Sequence, residues 1–162
     1  MESTAQRIRK ALKAELGTNN RQVSVRADGG LGATVTIKDL SLDWAKVHEI
    51  AHSFERIRRC EITGDILGGG NTFISVSYDW QILKAARDEY APAIAPFVLK
   101  AQDSPGTIYP VGQGFGVSVD QGTPWIVKLW SDDQGSCLGT TTDGCVLETL
   151  LQKGFKLRLA VV

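Results

Sequence analysis

The chain has 162 residues, 43% hydrophobic and 22% charged, which is an ordinary globular composition for one domain or two small ones. Eighteen basic residues balance eighteen acidic ones, so no overall basic field calls for nucleic acid or for an anionic membrane. No apolar run approaches a membrane span, and MESTAQRIRK lacks the apolar stretch of a signal peptide. Three cysteines, Cys60, Cys137 and Cys145, are odd in number, widely spaced and without a CxxC pair. Together these features lead us to expect a reduced, cytoplasmic protein.

Residues 3–16 read as a helix, with Ala5, Ile8, Leu12 and Leu16 on one face. Ser3 or Thr4 caps its start, Gly17 ends it, and Arg7, Arg9, Lys10 and Lys13 make its charged face. Val23 and Val25 then alternate with Ser24 and Arg26. Residues 28–32 turn, and Ala33, Val35 and Ile37 alternate with Thr34, Thr36 and Lys38. Such alternation predicts a hairpin with one buried face and one wet face. Asp43–Ile57 reads as a second helix, capped by Ser41 or Asp43, with Val47, Ile50, Ala51, Phe54 and Ile57 as its buried stripe. A second hairpin follows, with strands at Arg59–Thr63 and Thr72–Asp79. The order α-β-β-α-β-β predicts an α+β layer: an antiparallel sheet of four strands under two helices.

A helix is expected from Gln81 to about Tyr90, interrupted by Pro92 and Pro96. The last third reads as a smaller β-rich part. Strands are expected at Phe115–Val119, Pro124–Trp130 and Phe155–Val161, with a short helix from Thr142 or Asp143 to Lys153. The expected division is therefore a domain over 1–82, a helix and linker over 83–106, and a β-rich part over 107–162.

The helix IRKALKAEL, the hairpin QVSVRADGG…ATVTIKD and the stretch FERIRRCEITGDILGGGNTFISVSYD resemble the large polyvalent protein-associated domains of phages and plasmids, in their small α+β type. The resemblance covers roughly residues 5–80. Its motifs are a basic opening helix, a valine-serine-valine strand and a Gly-Gly-Asn turn, none of them catalytic. It implies a protein carried by a mobile element. A free-standing version implies an accessory that binds a host or defence protein, for example a counter-defence inhibitor such as an anti-CRISPR.

HEIAH, residues 48–52, fits the zinc-hydrolase pattern H-E-x-x-H. In that chemistry His48 and His52 share a helix face and bind zinc, and Glu49 polarises a water. Against it stand Lys46 just before the motif, the basic run Arg56, Arg58 and Arg59 just after it, and no marked third ligand beyond Cys60, Glu61 and Asp65. The buried stripe also leaves Glu49 on the outer face. The glycine-rich pieces at 28–32 and 68–71 lack the Lys-Ser/Thr of a phosphate loop and read as tight turns.

Two binding surfaces emerge instead. Arg56, Arg58 and Arg59 form a basic cluster. Trp125 and Trp130 lie on opposite parities of one strand, beside the acidic Asp132 and Asp133. These residues favour a non-enzymatic protein with no cofactor that acts by protein binding, and the resemblance implies that its partner is a host or defence-system protein. A zinc-dependent hydrolase using His48, His52 and Glu49 is the first alternative. A nucleic-acid-binding module, using the arginines and Phe73 or Tyr78 for stacking, is the second.

Overall fold

The computed structural model describes residues 2–29, 32–131 and 135–157. The chain is α+β, and it divides into two compact units, residues 1–80 and 81–162.

In the first unit, α1 spans Thr4–Leu16. Ser3 Oγ accepts from the Gln6 N–H at 3.3 Å, and Gln6 Oε1 accepts from the Ser3 N–H at 2.8 Å, closing a reciprocal cap. Strands β1 (Val23–Asp28) and β2 (Gly32–Ile37) form the expected antiparallel hairpin, with Val23 opposite Ile37 and Val25 opposite Val35. Helix α2 runs from Trp44 to His52, with the Asp43 side chain accepting from the Lys46 N–H. Strand β3 is Ile74–Tyr78. Val23, Val25, Ala33, Val35, Ile37, Ile74 and Tyr78 are buried with Ile8, Leu12, Val47, Ile50 and Ala51 of the two helices. Ser24, Arg26, Thr34, Thr36, Ser75 and Ser77 alternate with the buried strand residues and make the wetter face.

The sheet departs from the expected four antiparallel strands. It has three strands in the order β1-β2-β3, and β3 runs parallel to β2. The connection through α2 is a crossover that returns the chain in the same direction, as parallel pairing requires. The segment 59–63 forms no strand, because it has no apolar face to bury: Ile62 is 93% exposed. Only isolated bridges remain, Arg56 with Thr72 and Arg59 with Ile66.

Helix α2 also stops five residues short of Ile57. Ser53 Oγ donates to the Ile50 carbonyl at 2.7 Å, competing with helical bonding. The chain then tightens into three-residue turns, Phe54 N–H to Ala51 O and Glu55 N–H to His52 O. Phe54 leaves the helix to lie under the Arg7 guanidinium, 5.1 Å from the ring centre.

In the second unit, α3 spans Trp80–Asp103 and continues through Pro92 and Pro96. The break expected near Tyr90 is absent. Each proline removes one N–H donor, a cost of about 3 kcal/mol in a helix interior. Against that cost, Ile94 between the prolines and Val98 and Ala101 after them keep a buried stripe. The stretch 83–106, expected as helix and linker, is thus mostly one helix of the second unit. The division falls between Trp80 and Gln81.

A four-stranded antiparallel sheet follows in the order β4-β5-β6-β7: Tyr109–Gly112, Phe115–Asp120, Thr123–Ser131 and Ser136–Thr142. A turn of 3-10 helix over Asp143–Cys145 leads into α4, Val146–Gln152. Val117, Val119, Val127 and Leu129 are buried, as are Leu147, Leu150 and Leu151 of α4. Residues 155–157 of the expected last strand are not extended into a sheet, and residues 158–162 lie outside the described residues. Phe155 packs its ring edge-on to Phe115 at 5.9 Å. No described helix is long and apolar enough to cross a membrane.

Candidate functional site

The HEIAH histidines form a ring stack. His48 and His52 lie 4.0 Å apart between centroids with planes at 24°. Trp44 tilts against His48 at 6.0 Å, and Tyr78 against Trp44 at 4.9 Å. His52 Nδ1 lies 3.3 Å from Glu55 Oε2. Glu49 turns elsewhere, lining a shallow cleft with Glu15, Leu16, Lys46, Ile50 and Ser53. Among the described residues no group of three or more His, Cys, Asp and Glu is placed to hold a metal ion, and Cys60, Glu61 and Asp65 sit beyond α2 in a separate loop. The motif's three residues therefore serve two different surfaces.

Although His48 is exposed at its rim, His52 covers one ring face. That desolvation, with the charge of His52, holds the His48 pKa below the ordinary histidine value, while Glu55 opposes the shift. The unfolded chain therefore takes up this proton more readily than the folded one. The stability that results is complete above the ordinary histidine pKa of about 6.5 and is lost as the pH falls through it. Thermal stability should decline between about pH 7.5 and 5.5, and His48→Gln should flatten part of that decline. An identical slope in the variant would show that His48 does not contribute.

The second cluster, Arg56, Arg58 and Arg59, stands on an arm, residues 56–73, between α2 and β3. Its neck is a pair of backbone bonds, Arg56 N–H to Thr72 O at 3.1 Å and Thr72 N–H to Arg56 O at 2.7 Å. Further out, Leu67 N–H donates to Arg58 O and Cys60 N–H to Asp65 O. Asn71 staples the two sides, accepting from the Arg58 N–H at 2.8 Å and donating to Leu67 O at 2.6 Å. The Arg59 guanidinium donates to Gly64 O at 3.2 Å. Gly69 and Gly70 take φ of +81° and +72°, a backbone that other residues adopt only under strain.

Residues 61–70 are all exposed, so the arm is ordered by hydrogen bonds and not by a core of its own. It carries Ile62, Ile66, Leu67 and Phe73 outward, and Arg59 is paired across it with Ile66. Ile62, Ile66 and Leu67 are absent from the sequence-based site, and Phe73 entered it only as a stacking residue of the nucleic-acid alternative. A signal existed: aliphatic side chains between glycines and arginines, with no periodicity to bury them.

The basic face of α1 is partly engaged within the chain. Arg9 donates to Val25 O at 2.7 Å, Lys10 pairs with Glu2 at 2.7 Å, and Arg7 lies on Phe54. The Arg9 bond also occupies an outward carbonyl of edge strand β1.

In the second unit, Trp125 is 59% exposed on β6. Trp130 is half-buried, and its indole N–H donates to the buried Ser118 hydroxyl at 2.7 Å. Asp132 and Asp133 lie outside the described residues. Cys137 is exposed on β7. A cavity of about 410 Å³ opens between α3 and the start of α4, floored by Ile94, Val98 and Leu147.

Comparison with protein-family models, with curated proteins and with solved structures finds no match.

Proposed function

We propose that this chain is a non-enzymatic accessory protein of a mobile genetic element that binds a host or defence protein, with the 56–73 arm as its principal contact. One observation carries the reading: an arm wholly exposed over residues 61–70, yet internally stapled, that presents arginines beside aliphatic side chains. Exposed apolar side chains rimmed by charge mark association surfaces, and a pre-ordered arm loses little entropy on docking. Arginine is the cation best suited to such contacts, since its planar guanidinium pairs with carboxylates in two-point fashion. The complementary partner is an acidic surface with an apolar centre. Trp125 gives the second unit an exposed aromatic anchor of its own.

The test replaces Arg56, Arg58 and Arg59 together with alanine. Partner affinity should fall about tenfold or more while the melting temperature holds, because all three side chains are exposed. Capture from host lysate that is unchanged in the triple variant rules this surface out.

The zinc-hydrolase reading keeps one favourable feature. A histidine Nδ1 held by a carboxylate, as His52 is by Glu55, is the usual support of a metal-binding imidazole. Stoichiometric zinc in purified protein, lost in His48→Ala, would restore that reading. Salt-dependent retardation of DNA or RNA, abolished in the triple arginine variant, would assign the arm to nucleic acid instead.

A further inference from the structure

The arm leaves the body of the first unit at Glu55 and rejoins it at Ile74, and one side chain touches both junctions. Glu55 Oε1 accepts from the Ile74 N–H at 3.1 Å, at the first residue of β3. Its other oxygen, Oε2, lies 3.3 Å from His52 Nδ1 at the last residue of α2. The Glu55 N–H donates to the His52 carbonyl, so the residue is tied to the helix end through main chain and side chain alike. Directly beyond it lies the two-bond neck of Arg56 and Thr72. In a parallel pair the residue facing Ile74 is Ala33, whose N–H is spent on Phe73 O. The Ile74 N–H thus points away from β2, and it bonds to Glu55.

We infer that Glu55 is a positioning residue, a carboxylate clasp that joins the two roots of the 56–73 arm and fixes the direction in which the arm presents its arginines. The inference rests on the arm being the contact surface, and it adds the control point for that surface. The physical case is the contrast on either side of the clasp. Within the body, β3 is held by β2 and its buried Ile74 and Tyr78. In the arm, residues 61–70 are all exposed, so its orientation depends on the few bonds at its root. Of these, the Glu55 side chain links both roots to α2. A carboxylate accepting from a backbone N–H is also stronger than a neutral bond of the same geometry.

The experiment follows amide hydrogen exchange, residue by residue, in the full chain carrying Glu55→Ala or Glu55→Gln. In Glu55→Ala, the amides of Thr72 and Ile74 should exchange about ten- to a hundredfold faster, with those of Val35 and Ile37 unchanged. Glu55→Gln keeps a carbonyl oxygen for the Ile74 N–H and should restore most of the protection. That rescue would not follow if the alanine variant had merely weakened the fold. Protection at Thr72 and Ile74 that is unaltered in Glu55→Ala overturns the clasp. So does equal loss of protection at Val35 and Ile37 in Glu55→Gln. Exchange requires no partner, so failure here leaves the arm's binding role standing. Unchanged capture by the triple arginine variant would remove the binding role without touching the clasp.

Discussion

Ile37→Ala should destabilise the protein by about 2–5 kcal/mol, whereas Ile62→Ala should change stability by no more than about 0.5 kcal/mol. The two residues are chemically identical and differ only in placement. Ile37 is fully buried at the end of the central strand β2, opposite Val23 on β1 and in register with Tyr78 on β3. Truncation there removes three carbons from a packed interior and leaves a cavity that neighbouring strands cannot collapse to fill. Ile62 is 93% exposed on the arm, so its truncation loses almost no buried area. Urea denaturation of both variants gives the comparison directly. Equal effects would contradict the separation of a packed body from an unburied arm. The same pair then separates stability from binding. Ile62→Ala should weaken partner capture, and Ile37→Ala should not do so in protein that remains folded.

Gly32→Ala should cost about 1–3 kcal/mol, although alanine has the better intrinsic conformational behaviour. A Cβ built on Gly32 meets the Phe73 carbonyl oxygen at 2.8 Å. That oxygen is backbone, and it is the acceptor of the Ala33 N–H at 3.0 Å, the first bond of the parallel pairing. Nothing at the site can rotate away. The start of β3 has to shift, and it carries the neck of the arm with it. Gly68→Ala is the control, since a Cβ there meets nothing within 4 Å. Thermal denaturation should show a loss for Gly32→Ala alone. Exchange at the Ala33 amide should rise in that variant, and no rise would mean that β2 and β3 have room to adjust.

The first hairpin, α1 with its cap, and the start of α2 were legible because their determinants are local. Alternation sets a strand's two faces, spacing of three and four sets a helix stripe, and Ser3 and Asp43 satisfy amides within their own first turns. The α+β class followed from the same patterns. The sequence by itself also determined where the chain must turn: Gly69 and Gly70 adopt the left-handed backbone that a glycine pair was expected to supply. It identified Arg56, Arg58 and Arg59 as a cluster, and Trp125 as an aromatic on the opposite parity from Trp130. It placed Glu49 of HEIAH on the outer face, and the structure adds the neighbours that Glu49 and the histidines meet.

Only the tertiary structure decided the rest. Alternation says which face of a strand is wet but not which strand lies beside it. The direction of β3 was therefore set by the α2 crossover and its bonding to β2. Strand β7 carries no strong alternation and exists because β6 offers an edge. Prolines 92 and 96 would break an isolated helix, and α3 passes through them because Ile94 between them and Val98 and Ala101 after them are buried. The arm is the clearest case. Its sequence resembles a hairpin, yet residues 59–63 lack an apolar face, so they could not join the sheet. Hydrogen bonds through Asn71 and Glu55 tie the two sides of the arm together near its base instead. Those bonds join residues 13 and 19 positions apart, a separation that no local pattern encodes.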